Sequence, residues 1–255
     1  MRLIVLGSGT SIGVPVIGCH CPVCSSSDHR DKRMRSSIYI EHEGQCLLID
    51  TSTDLRTQAL ACGIEQVDAV LYTHTHADHV HGIDDLRAFN FIKGGPIPIY
   101  GSPVSIEDIK HRFDYIFGGA TQAGGGLPGL TPNEVQGPFE LFGLQIAPVP
   151  IAHGKMKIVG YRVGPIAYLT DCSGVPRSSR NMLHDLDLLI IGALRPFPHP
   201  THFSFDQAVA EIERIAPRRA LLTHISHHVK HSELERRLPR NVSPAYDGQV
   251  IDINA

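Results

Sequence analysis

The run Thr73-His74-Thr75-His76-Ala77-Asp78-His79 puts four metal-competent side chains within six positions. Histidines one residue apart on an extended turn can converge on one ion, and an Asp-His pair opening a helix can aim at a second ion beside it. Two ions need more ligands than one loop supplies. Three further polar residues each follow an apolar run: His153 after 147–151, Asp171 after 168–170 and His224 after 220–223. Ligands at strand ends suit a site along one edge of a sheet sandwich. A second cluster, Cys19-His20-Cys21-Pro22-Val23-Cys24, gathers three of the six cysteines, while Cys46, Cys62 and Cys172 are scattered. In a reducing compartment three close thiols point to a metal site, with redox thiols as the alternative.

These residues need elements to hold them. Segment 2–6 reads as a buried opening strand broken by Gly7-Ser8-Gly9-Thr10; Val14-Pro15 stands where a dinucleotide-binding helix would open, so the glycines do not make that fingerprint. Strands at 37–42 and 45–50 flank Glu43-Gly44 as a hairpin whose second strand ends on Asp50. A helix over 53–62 closes at Gly63, and a short strand at 69–72 feeds the histidine run. Further strands are expected at 97–100, 139–142, 144–149, 158–163, 166–170, 187–191 and 220–223. Ser204 with Gln207 is a capping-box pattern opening a helix that Pro217 stops, and Asp247-Gly248 predicts a hairpin turn into a last strand at 249–253. Strands interleaved with helices suggest an α/β chain, two mixed sheets between helices, in one domain over 1–255. A cysteine-bearing loop at 18–30 and a Gly- and Pro-rich loop at 118–138 stand apart from this pattern.

Composition narrows the function. A chain of 255 residues, 42 % hydrophobic and 19 % charged with net charge -3, has core enough to fold and no bulk field for a membrane or nucleic acid. Its longest apolar run, 186–194, contains Asp187 and falls short of the ~20 residues that span a bilayer, so a cytoplasmic protein without a membrane segment is expected. Histidine is the unusual entry in the composition, with 16 against 23 Lys plus Arg, which puts metal chemistry first.

The histidine run followed in order by His153, Asp171 and His224 resembles the metallo-β-lactamase superfamily over essentially the whole chain. The resemblance implies the αββα four-layer sandwich of two mixed β-sheets flanked by helices. It implies His74, His76 and His153 on one ion, Asp78, His79 and His224 on the other, Asp171 bridging, and Asp50 behind a ligand histidine. The Cys19-x-Cys21-x-x-Cys24 spacing, with His227 three residues beyond His224, is similar to the structural zinc site of PhnP-type phosphodiesterases; His20 and His29 are the other candidates for the fourth ligand. The expected cofactors are therefore two divalent ions, Zn or Mn, and one structural Zn. His202, in Thr201-His202-Phe203-Ser204, falls where that branch carries a histidine near the scissile phosphate, and becomes the candidate general acid beside Asp78 at the catalytic centre.

The expected activity is hydrolysis of a small phosphodiester, such as a cyclic ribose phosphate or cyclic nucleotide, by a two-metal mechanism. Homodimerisation is a further expectation of the resemblance. A transfer-RNA 3′-processing endonuclease needs a basic arm, and 118–138 contains no Lys or Arg, so a long nucleic acid is not expected. Lactonase or thioesterase chemistry is the alternative within the same fold. Metal-dependent oxidation, as in the related protein of pyrroloquinoline-quinone biosynthesis, and a non-catalytic nucleotide-binding role complete the alternatives. Arg87, Lys93, His111, Arg112, Arg177 and Arg195 are unranked candidates for anion contacts.

Overall fold

The computed structural model describes residues 1–118 and 126–253. One seven-stranded sheet runs β14 (Val250–Asp252), β1 (Arg2–Gly7), β2 (Ser37–His42), β3 (Gln45–Ile49), β4 (Ala69–Leu71), β5 (Ile97–Gly101), β6 (Leu130–Glu134). The other runs β13 (Val242–Pro244), β12 (Arg219–Thr223), β11 (Leu188–Gly192), β10 (Ile166–Leu169), β9 (Met156–Val163), β8 (Leu144–His153), β7 (Phe139–Leu141). The helices are α1 (Leu55–Cys62), α2 (Ala77–Val80), α3 (Leu86–Lys93), α4 (Pro103–Arg112), α5 (Asp114–Phe117), α6 (Arg177–Arg180), α7 (Phe205–Ile215) and α8 (His231–Glu235).

Side-chain alternation builds four layers. In β2, Ile38 and Ile40 point between the sheets to meet Ile146, Tyr161, Ile190 and Leu221, while Tyr39 points outward under α1. That outer face packs on Leu55 and Ala59 of α1, Leu86 and Phe89 of α3, and Ile106 and Ile109 of α4. The other sheet turns Leu169, Leu189 and Leu222 toward Phe205, Ala208, Ile212 and Ile215, the apolar stripe of α7. The result is an αββα arrangement of two mixed sheets, the fold expected from the sequence.

Most local signals behave as their chemistry dictates. Glu43 and Gly44 both take positive φ, 48° and 77°, and turn β2 into antiparallel β3. Gly63 closes α1 in the left-handed conformation, and the Ser204–Gln207 capping box opens α7. The opening glycines serve close chain approach: a Cβ on Gly7 would stand 1.9 Å from the Arg35 carbonyl oxygen, and one on Gly9 2.8 Å from the Arg33 Cβ.

Three expectations need correction. Asp247-Gly248 does not make a hairpin, because β13 lies in the other sheet and β14 pairs with β1; the turn carries the chain between sheets. The segment 118–138 is not loop throughout: Leu130–Glu134 forms edge strand β6, paired parallel to β5, and residues 119–125 lie outside the described residues. Its alternation is blurred because an edge strand with little buried side chain carries a weak apolar signal. The strand expected at 144–149 runs on to His153, so that residue ends β8 directly.

Candidate metal centre

The site is assembled at strand ends of both sheets. From the first, β3 delivers Asp50 and β4 leads into the His74–His79 run; from the second, β8 delivers His153, β10 Asp171 and β12 His224. Parallel pairing of β3 with β4, of β10 with β11 and of β11 with β12 brings these carboxyl ends together, where ligands characteristically bind in mixed α/β sheets. Asp50, Asp171 and His224 all take positive φ, 65°, 53° and 59°, a conformation costing roughly 1–3 kcal/mol per non-glycine residue that persists where the surroundings fix it.

Two groups of potential ligands share Asp171. His74, His76, His153 and Asp171 form one, and Asp78, His79, Asp171 and His224 the other; within each, one ligand atom per residue lies within 4.8 Å of all the rest. His79 Nε2 is 3.2 Å from both Asp78 Oδ2 and Asp171 Oδ1, and His224 Nε2 is 3.3 Å from Asp171 Oδ2. Neighbouring groups set the tautomers. His153 Nδ1–H donates to the Thr201 carbonyl at 2.8 Å, and His79 Nδ1 meets Asp50 Oδ2 at 2.7 Å, so each ring turns Nε2 inward. Asp50 also accepts from the Thr73 N–H and hydroxyl, both at 2.8 Å, and is fully buried.

The electrostatics are those of a preformed cation site. Burial lowers His74 well below the usual imidazole range and lowers His76, leaving both rings neutral and able to ligate. Burial opposes charge on His79, but Asp171, Asp50 and Asp78 outweigh it and raise its pKa well above normal. Burial likewise opposes ionisation of Asp171, and His224 and His79 overcome it to hold the carboxyl well below its ordinary value. Asp78 Oδ2, His79 Nε2 and both nitrogens of His224 are buried without a hydrogen-bond partner among the described residues. Such orphaned atoms, converging from imidazoles and carboxylates, fit divalent cations.

Cys19, Cys21, Cys24 and His227 form the third group. Their sulfurs stand 3.3, 3.6 and 3.4 Å from His227 Nδ1, and three thiols with an imidazole fit a closed tetrahedral zinc site. The backbone N–H of Cys24, donating to Cys21 Sγ at 3.4 Å, brings that thiol down to about 6. His20 and His29 are not in the group.

A cleft of about 870 Å³ opens over the two histidine groups, lined by Ser11, His76, Asp78, His153, Lys155 and His202 among others. His202 lies with its ring stacked 4.7 Å from that of His224 and its Nδ1 4.0 Å from Asp171 Oδ2. Burial, reinforced by His224, lowers it to about 3. None of the six unranked cations lines this cleft. Arg112 binds the Thr75 carbonyl and Asp108, Lys93 pairs with Asp68, and Arg195 stacks on Phe197. Lys155 carries no sequence signal beyond standing two residues after His153, whereas Ser11 closes the opening Gly7–Ser11 run that the resemblance covers.

Comparison with known proteins agrees with this construction. The chain matches the beta-lactamase superfamily domain over residues 45–225, and it belongs to the metallo-β-lactamase superfamily. A crystal structure described as a new diphosphatase from the PhnP family is 44 % identical with a TM-score of 0.92, covering 99 % of this chain and 98 % of that one. The chain is PhnP-like within the superfamily. An octanoyltransferase of Porphyromonas gingivalis is 40 % identical over 251 residues, 97 % of this chain, which spans about half, 51 %, of that relative. The Zn(2+)-bound PqqB of Methylobacterium extorquens is 21 % identical with a TM-score of 0.80, covering 99 % and 100 %, a likeness of fold. Among the described residues no helix is long and apolar enough to cross a membrane.

Proposed function

We propose that the protein is a dinuclear metal-dependent phosphodiesterase acting on a small phosphodiester. The observation that carries this reading is a pair of ligand groups sharing Asp171 at the floor of a cleft, with the non-ligand imidazole of His202 beside them. His74, His76, His153 and Asp171, and Asp78, His79, Asp171 and His224, would hold two divalent ions, which would supply Lewis acidity and a lowered water pKa. Asp78, buried yet on the cleft wall, orients the attacking water for in-line displacement. His202 is neutral in the free protein, and the phosphodiester anion supplies the charge that raises its pKa so that it protonates the leaving oxygen. Lys155 places a positive charge at the cleft for substrate oxygens. Cys19, Cys21, Cys24 and His227 would hold a structural zinc that pins the loop 18–30 to the segment carrying His224.

A second reading, hydrolysis of a diphosphate ester, is favoured by the 44 % identical relative described as a diphosphatase. The relative named octanoyltransferase brings acyl-ester chemistry into view, and the imidazole beside the metal groups favours phosphoryl transfer over it. The test is turnover of an aryl phosphodiester, 2′,3′-cyclic nucleotides and a diphosphate ester by zinc- or manganese-loaded protein. Asp78→Ala should abolish turnover. His202→Ala should lower kcat by about 10²–10⁴ with metal content intact. Turnover of acyl esters alone, or an active Asp78→Ala variant, would reject the proposal.

A further inference from the structure

The largest fully buried side chain is a cation. Arg33 is 1 % exposed and pairs with Asp31, also buried, at 3.1 Å. Its Nη1–H donates to the Ser226 carbonyl at 3.1 Å and its Nη2–H to the Val229 carbonyl at 3.4 Å. Asp31 Oδ1 accepts in addition from the His231 backbone N–H at 2.7 Å. Nε, the remaining donor position, has no partner among the described residues.

Such a pair is a poor device for stability alone. Desolvating both charges costs several kcal/mol per ion, and well-packed apolar replacements are often as stable or more so. What the fork provides is geometry. Ser226 lies two residues after His224 and one before His227, and Val229 lies two after His227. One planar guanidinium therefore grips the carbonyls on either side of His227, just after His224, in the segment that supplies a residue to each candidate metal cluster. His224 sits there at φ 59°, a strained conformation that its neighbours must impose. The segment is also held by Ile225 N–H to the Ser8 carbonyl, Ser226 N–H to the Leu194 carbonyl and Thr10 N–H to the Ile225 carbonyl, with the Cys21 thiol on the His227 carbonyl; Arg33 is the side chain that takes the carbonyls of Ser226 and Val229 together.

We propose that Arg33, anchored by Asp31, is a positioning residue for the dinuclear centre. It fixes the backbone at Ser226 so that His224 faces Asp78 and Asp171, whereas His227 is held separately by the three thiols that surround its Nδ1. This rests on the reading of both clusters as metal sites.

Cobalt(II) added to metal-depleted protein separates the clusters by spectrum: thiolate charge transfer reports the cysteines, and ligand-field bands report the imidazole–carboxylate centre. Arg33→Lys keeps a charge but loses the fork, and Asp31→Asn loosens the anchor while leaving the arginine in place, so the second serves should the first fail to fold. Both variants should fill the cysteine cluster as the parent protein does. At the other centre one cobalt should bind about 10- to 100-fold more weakly, with kcat falling more than KM rises. Parent-like titration of both clusters in a folded variant would overturn the proposal. Equal weakening of both clusters together with the melting temperature would also overturn it, reducing Arg33 to packing. Absence of cobalt from the imidazole–carboxylate centre of the parent protein would instead refute the metal reading, and the proposal with it.

Discussion

Asp50 lies outside both ligand groups, yet it does much to shape one of them. It takes the Nδ1–H of His79 and two donors of Thr73, and so fixes both the tautomer of a ligand and the first turn of the loop that carries four of them. Asp50→Asn would turn an amide N–H₂ toward one of those donors and lose the charge that supports the His79 ring. Metal affinity measured by competition with a chromogenic chelator should fall about 10- to 100-fold, with the far-ultraviolet spectrum unchanged. Unaltered affinity would show that the other contacts of His79 suffice. Such residues differ in how plainly the sequence displays them. The His74–His79 run is legible because its ligands are neighbours in the chain. His153, Asp171 and His224 are legible only as polar residues ending apolar strands, a position many residues occupy. Arg33 is hidden: Asp31-Lys32-Arg33 looks like a solvated charged run, and its burial depends on a segment 193 positions away.

The elements were legible where they bury a face, as in the alternation of β2 and the apolar stripe of α7. Edge strand β6 is hidden because little of its side-chain surface faces a core, β13 because it is only three residues long although Val242 is buried, and the final turn because its partner strand is the first of the chain. That turn has a consequence for pH. Asp247 accepts from the Ser8 N–H and hydroxyl at 2.8 and 2.7 Å and from the Met34 N–H at 2.6 Å, tying together the loop after β1 and the approach to β2. Burial nevertheless raises its carboxyl to about 6, against those three donors. An unfolded aspartate titrates near 3.9, so the native state binds this proton more tightly. Its contribution is full below about pH 4 and is lost as pH rises through 6. Metal-free parent protein compared with Asp247→Asn by urea titration should therefore lose stability relative to the variant across pH 4 to 6. A difference constant with pH would show that the three donors hold the folded carboxyl at its ordinary value.

At the scale of the whole molecule, the candidate ligands are divided between the sheets. His74, His76, Asp78 and His79 follow strands of one, while His153, Asp171 and His224 end strands of the other. The apolar layer between the sheets holds them together along most of their length, but at this end the interface is made of buried imidazoles and carboxylates with orphaned polar atoms. His74, His76 and Asp171 would hold an ion between the sheets where apolar packing is lacking, and binding to the native state alone would stabilise it by RT ln(1 + [L]/Kd). At free metal 100-fold above Kd this is about 2.7 kcal/mol, roughly 5–10 °C in melting temperature for a chain of this size. Chelated protein should melt lower by about that amount in a calorimeter, and zinc should restore it. Restoration should persist, though reduced, in Cys21→Ala, because the imidazole–carboxylate groups that span the two sheets stay intact. A chelated protein that melts where the loaded one does would mean that the carboxylates and imidazoles pair well enough by themselves, and would remove the ions from any part in holding the sandwich closed.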